Sequence, residues 1–202
     1  MNGYKCIKRA ERPSAYSTGA FNLCCDALGV SRSGITLYSV VGEGTASAWV
    51  IPEARQYNDG RYFPAGHRFI FYDPEFLSRL EVSYNSAWPS IGVMAHEIGH
   101  HRAWAKNPDR TRDNWDCEQA ANYYQGWAMA ILGAGRADIE LRHGNRDKDN
   151  GSKTHPSSYH IMRAIGQGWK DAGGEKNTSS KEPDFLKPDL RWWPDEQPRT
   201  PS

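Results

Sequence analysis

The stretch VMAHEIGHH, residues 93 to 101, sets His96, Glu97, His100 and His101 into otherwise apolar surroundings. Side chains four positions apart on a helix differ in direction by about 40°. His96 and His100 therefore project from one face, one turn apart, and can ligate one metal ion. Glu97 sits beside that pair and can reach a water without taking a coordination position. This H-E-x-x-H pattern joins two imidazole ligands to a carboxylate general base. Zinc, one ion per chain, is expected, because it accepts histidine and carboxylate in a mixed tetrahedral set. A His-Glu-His face without a metal would be poorly tolerated in the apolar run IGVMAHEIGH. His101 points about 100° from His100, so it reads as a surface residue or an outer partner rather than a ligand. Gly99 costs about 1 kcal/mol of helix propensity relative to Ala. Its expected use is to let another segment approach the helix near the metal.

Two histidines do not complete a catalytic zinc site, which needs a third protein ligand and an open position. No later histidine on the same segment supplies it, since position 106 is Lys106. The favoured third ligand is Glu118 in CEQAAN, on a following helix that can fold back antiparallel. Ala120 and Ala121 beside it allow close helix contact. Asp116 competes for the role, and Glu118 also reads as a solvated acidic residue near a helix N-terminus. Asn122, one turn after Glu118, is placed to accept a hydrogen bond from the second nitrogen of a ligand histidine.

The elements that must position these residues follow from local signals. A helix is expected over Ala15 to Leu28, closed by Gly29, after an irregular lead-in at residues 1 to 12. ITLYSVVGEGTASAWVI, 35 to 51, reads as two short strands broken at Gly42 to Gly44. A loop holding Asn58-Asp59-Gly60 and Pro64 follows, then a strand over 67 to 73. Asp73 and Pro74 suit the start of a helix. Ser90 is a candidate cap for the H-E-x-x-H helix, which should run to about Ala105 before Asn107-Pro108. The next helix spans about Asp113 to Leu132 and stops at Gly133 and Gly135. Short helical character near Ala137 to Arg142 leads to a polar loop. Pro156 then opens a last helix over about Ser157 to Asp171. The fold class is α+β, mainly helical, with a small antiparallel sheet beside the H-E-x-x-H helix. Residues 1–172 form one domain, and 173–202, rich in Pro and Ser, read as a C-terminal tail without a core of its own. Within that tail, DFLKPDLRWW at 184 to 193 is long and apolar enough to lie across a groove.

Composition narrows the partners. The 202 residues carry 25 Lys plus Arg and 24 Asp plus Glu. Near-neutral charge without a basic stripe gives no footprint for nucleic acid. No apolar run is long enough to span a bilayer, and no secretory leader follows Met1. A soluble protein is expected: periplasmic or secreted if a leader is missing from the sequence, otherwise cytoplasmic. Cys6, Cys24, Cys25 and Cys117 fit no zinc-ribbon spacing. They read as small buried apolar residues, with a disulfide from Cys6 to Cys24 or Cys25 as the alternative.

HEIGHH, then EQAAN, then THPSSYHIMRAIGQGW, taken in order, resemble a family of gluzincin zinc endopeptidases. That family includes the CAAX prenyl endopeptidase, the heat-shock membrane peptidase and soluble bacterial relatives. The resemblance covers roughly residues 45 to 170, with ASAWV and FIFYDPEFL standing where the family has an N-A-x-A strand and an edge strand. It implies a zincin-like metallopeptidase domain with His96, His100 and Glu118 as zinc ligands and Glu97 as catalytic base and acid. It also implies that His155, the histidine of the T-H-P motif, stabilises the oxyanion or rests on the metal. Without the resemblance, His155-Pro156 is only a helix-start signal. Asn122 stands where the family has Asp. Ile161 stands where it often has Arg, the nearest arginine being Arg163. The implied soluble branch lacks the membrane helices of other members.

The function these readings imply is hydrolysis of peptide bonds in a peptide or protein substrate. Water acidified by zinc attacks the carbonyl, with Glu97 moving the proton to the leaving amine. The peptide is expected to lie extended along the strand at 67 to 73, adding to its edge. The alternative is a catalytically silent or latent zinc-stabilised binding protein, although such a protein has no need of Glu97.

Overall fold

The structure is a computed structural model that describes residues 3–106, 115–141 and 156–177. Helix α1 (Gly3–Arg9) and helix α2 (Ala15–Leu28) precede strands β1 (Ile35–Ser39) and β2 (Ala46–Val50). The short strands β3 (Arg55–Gln56) and β4 (Tyr62–Phe63) and the strand β5 (Arg68–Tyr72) follow. Helices α3 (Pro74–Tyr84), α4 (Trp88–Lys106), α5 (Trp115–Leu132), α6 (Arg136–Glu140) and α7 (Ser158–Asp171) complete the order, with a 3-10 turn at Gly174–Lys176. The α+β class is as expected.

Local chemistry sets the helix ends. Ser14 caps α2 by accepting from Ser17 N at 3.1 Å, and Gly29 closes it in the left-handed region at φ 59. Asp73 caps α3 through Glu75 N at 2.9 Å, with Pro74 in the first turn. Ser90 does not cap α4, which begins two residues earlier. Ser86 Oγ accepts from Trp88 N at 3.2 Å, and Pro89 fits the first turn, where its missing N–H is not needed. Ser90 Oγ instead lies 2.8 Å from Ala87 O and beside the buried carboxylate of Glu81, two acceptors for its single proton.

The larger sheet has the order β1-β5-β2, with β1 parallel and β2 antiparallel to β5. It is therefore mixed rather than antiparallel. The chain between β1 and β5 forms β2 and the β3–β4 pair, a connection long enough to return β5 in the direction of β1. The β3–β4 pair occupies what reads in sequence as a loop.

Alternation along the strands divides the interior in two. Ile35, Leu37, Ala46, Ile70 and Tyr72 face a core shared with α2, α4, α5 and α7. Phe69 and Phe71 face a smaller aromatic core with Cys6, Ile7, Val40, Ile51 and Phe63. Trp49 packs on that side, edge-on to Tyr4 at 4.9 Å. Helix α1 covers this second core, so the first residues are not an irregular lead-in. Seven residues carry little helical preference of their own. Their stability comes from burying Cys6 and Ile7 and from seating Gly3 against the Trp49 ring.

Helix α4 is buried nearly all round, as a helix at the centre of a layered fold must be. All four cysteines are buried free thiols, and no disulfide joins them. Burial pushes the Cys25 thiol up to about 12 and Cys24 still further. The start of the tail is docked: Gly174 lies against the Trp169 ring, and Asn177 Nδ2 donates to Ala130 O at 2.9 Å and Ala134 O at 3.1 Å. Residues 184 to 193 lie outside the described residues. No described helix is long and apolar enough to cross a membrane.

Candidate metal centre

Helix α5 returns antiparallel along α4. A Cβ on Gly99 would meet Ala121 O at 2.9 Å, while one on Gly92 would meet Gln125 Nε2 at 2.9 Å and Met129 Sδ at 3.3 Å. The missing side chain at Gly99 thus admits the α5 backbone, which brings the first turns of α5 over the histidines.

The resulting geometry is tight. His96 Nε2 and His100 Nε2 are 3.1 Å apart. Glu118 Oε2 lies 3.3 Å from His96 Nε2, and Glu118 Oε1 lies 3.4 Å from His100 Nε2. Ligand atoms at zinc distances of about 2.0–2.1 Å on a tetrahedron are separated by about 3.3 Å. The three side chains are therefore close enough to share one metal ion. Among the described residues they form the one group of His, Cys, Asp or Glu side chains close enough to share an ion. The side chains of His96 and Glu118 keep 15% and 12% of their surface exposed, against 6% for His100. The group is thus less deeply buried on the His96–Glu118 side than at His100. Asp116, the competing ligand, is exposed and outside the group.

Glu97 is 7% exposed. Its Oε2 accepts from the Ala48 main-chain N–H at 2.6 Å, tying the H-E-x-x-H helix to β2. The H-E-x-x-H spacing gives no hint of this partner; only the pairing of the strands places it.

His101 is fully buried rather than on the surface. Its Nε2 lies 3.0 Å from Phe69 O in β5. A carbonyl only accepts, so Nε2 carries the proton. Burial holds this imidazole down to about 3, and it remains neutral at any physiological pH. His101 thus ties α4 to the central strand. Trp104, one turn after His100, stacks on that ring with centroids 5.5 Å apart and planes 25° from parallel. The four-residue spacing of His100 and Trp104 could have revealed this contact in the sequence.

Asn122 is buried one turn beyond Glu118, at the position expected. No hydrogen bond joins its side chain to His96 or His100 among the described residues. Arg163 is exposed on α7. His155 lies outside the described residues. The strand at 67 to 73 is β5, whose two sides are occupied by β1 and β2, so no peptide can add to its edge. Among the described residues, the outer strand beside the site is β2.

No family model, curated protein or solved structure matches this chain. Fold and site together define a class: an α+β protein carrying a candidate His2Glu metal centre.

Proposed function

We propose that the chain is a zinc-dependent endopeptidase of the gluzincin kind that its motifs resemble. His96, His100 and Glu118 hold the ion, and Glu97 is the general base. One observation carries the reading. The two imidazoles and the Glu118 carboxylate gather close enough to share one ion, and the Glu97 carboxylate beside them lies against β2, the outer strand of the described sheet. A structural zinc site does not require the acid.

When bound, zinc supplies a Lewis acid that polarises a carbonyl and acidifies water. Glu97 takes the proton from the attacking water and delivers it to the leaving amine. Edge strand β2 offers an extended peptide the backbone groups it needs for pairing. The resemblance gives His155 the oxyanion as its partner.

The test compares zinc content and digestion of a peptide library for wild type and Glu97→Gln. Both proteins should hold one zinc ion, while cleavage by the variant should fall by about 10²–10⁴-fold. Equal cleavage by both would remove Glu97 from the chemistry. Cleavage by neither would leave the silent zinc-stabilised binding protein as the better reading.

A further inference from the structure

We propose that the main-chain N–H of Ala48 is the positioning group for Glu97, anchoring one carboxylate oxygen to the sheet edge. The proposal rests on the peptidase reading for its kinetic consequence but not for the anchor itself.

The strand register shows why this amide is available. Asp73 N donates to Thr45 O at 3.0 Å, and Ile51 N donates to His67 O at 2.9 Å. Backbone groups in an antiparallel pair alternate in direction. The odd-numbered residues of β2 therefore bond to β5, and Ala46, Ala48 and Val50 direct theirs to the open edge. The Ala48 amide makes no ladder bond and is spent on Glu97, at 2.6 Å.

The physics favours a functional anchor. A main-chain donor adds no rotamer freedom of its own, whereas glutamate on a helix has three side-chain torsions to fix. A short bond to an ionised acceptor is about twice as strong as a neutral one. Glu97 is also sheltered, which strengthens the bond further. His101 bonds to β5 while Glu97 bonds to β2, so two contacts join the histidine helix to the sheet. A peptide pairing along β2 would then use the outward groups of Ala46 and Val50 and the Ala48 carbonyl, leaving the Ala48 amide to the acid.

Two replacements remove this N–H. Ala48→Pro does so at an edge position where no ladder bond is lost. Replacing Ala48 by lactic acid turns the amide into an ester with little change of shape, and covers the case in which the proline variant does not fold. With zinc content unchanged, kcat should fall about tenfold to a hundredfold, with KM within about threefold of wild type. A raised KM at unchanged kcat would show instead that the amide pairs with substrate, and would overturn the proposal. A second measurement needs no turnover. In ¹⁵N-labelled, zinc-loaded protein, the Ala48 amide proton should move upfield and lose about tenfold in exchange protection in Glu97→Ala. An unchanged resonance and protection would also overturn the anchor. If the wild type cleaves no peptide, the peptidase reading fails, and the resonance still decides the anchor.

Discussion

Glu118 is the residue on which the proposed metal centre turns. Its two oxygens reach both histidines, at 3.3 and 3.4 Å. Asp116 lies two positions earlier, about 200° around the helix, and faces solvent. Glu118→Gln removes one anionic ligand and should weaken zinc binding by more than the roughly 10–100-fold typical of losing an outer partner. Asp116→Asn should leave zinc affinity within about twofold of wild type, since its exposed charge is well screened. Competition with a calibrated chelator measures both. Equal effects of the two changes would show that the wrong carboxylate has been assigned.

At the scale of elements, α4, α5 and α7 cross closely because glycines leave no side chains in the way, and the α4–α5 crossing gathers the site. Gly99 opens α4 to Ala121. A Cβ on Gly126 would fall on the Ile165 carbonyl of α7, and one on Gly168 would fall on the Tyr123 carbonyl of α5. Gly166, also on α7, has open space around its Cβ position. Gly126→Ala and Gly168→Ala should each destabilise by at least about 2 kcal/mol, because a backbone rather than a flexible side chain must give way. Gly99→Ala should cost about 1–2 kcal/mol, its gain in helix propensity partly offsetting the clash. Gly166→Ala should stabilise by about 0.5–1 kcal/mol. Urea unfolding of the four variants checks the order. A destabilised Gly166→Ala would mean that propensity does not govern this face of α7.

For the whole molecule, His101 couples stability to pH. Its imidazole, ordinarily near 6.5, is held down to about 3 by burial. Between those values the unfolded chain binds a proton that the folded chain refuses. The stability present above pH 6.5 is therefore lost progressively as pH falls toward 3, by up to a few kcal/mol. Zinc-free wild type should lose stability more steeply from pH 6.5 to 4.5 than zinc-free His101→Gln, which retains the other histidines. Parallel pH profiles from thermal unfolding would contradict this.

The sequence by itself determined what depends on neighbours along the chain. Helix α2 shows its glycine stop, α3 shows Asp73-Pro74, and β1, β2 and β5 show their β-branched and aromatic runs. The helical period alone puts His96 and His100 on one face, and the returning helix brings Glu118 to them, as the sequence favoured over Asp116. Tertiary structure decided the rest, because those features depend on contacts between distant segments. Packing against Trp49 makes α1 a helix where local preference is weak. The long connection from β1 to β5 makes the sheet mixed and puts β5 at its centre, so that β2 is an outer strand of the described sheet. His101 is drawn inside because Phe69 O offers a partner in the core. Glu97 meets the amide of Ala48, 49 positions earlier, because strand pairing turns that amide outward at the sheet edge.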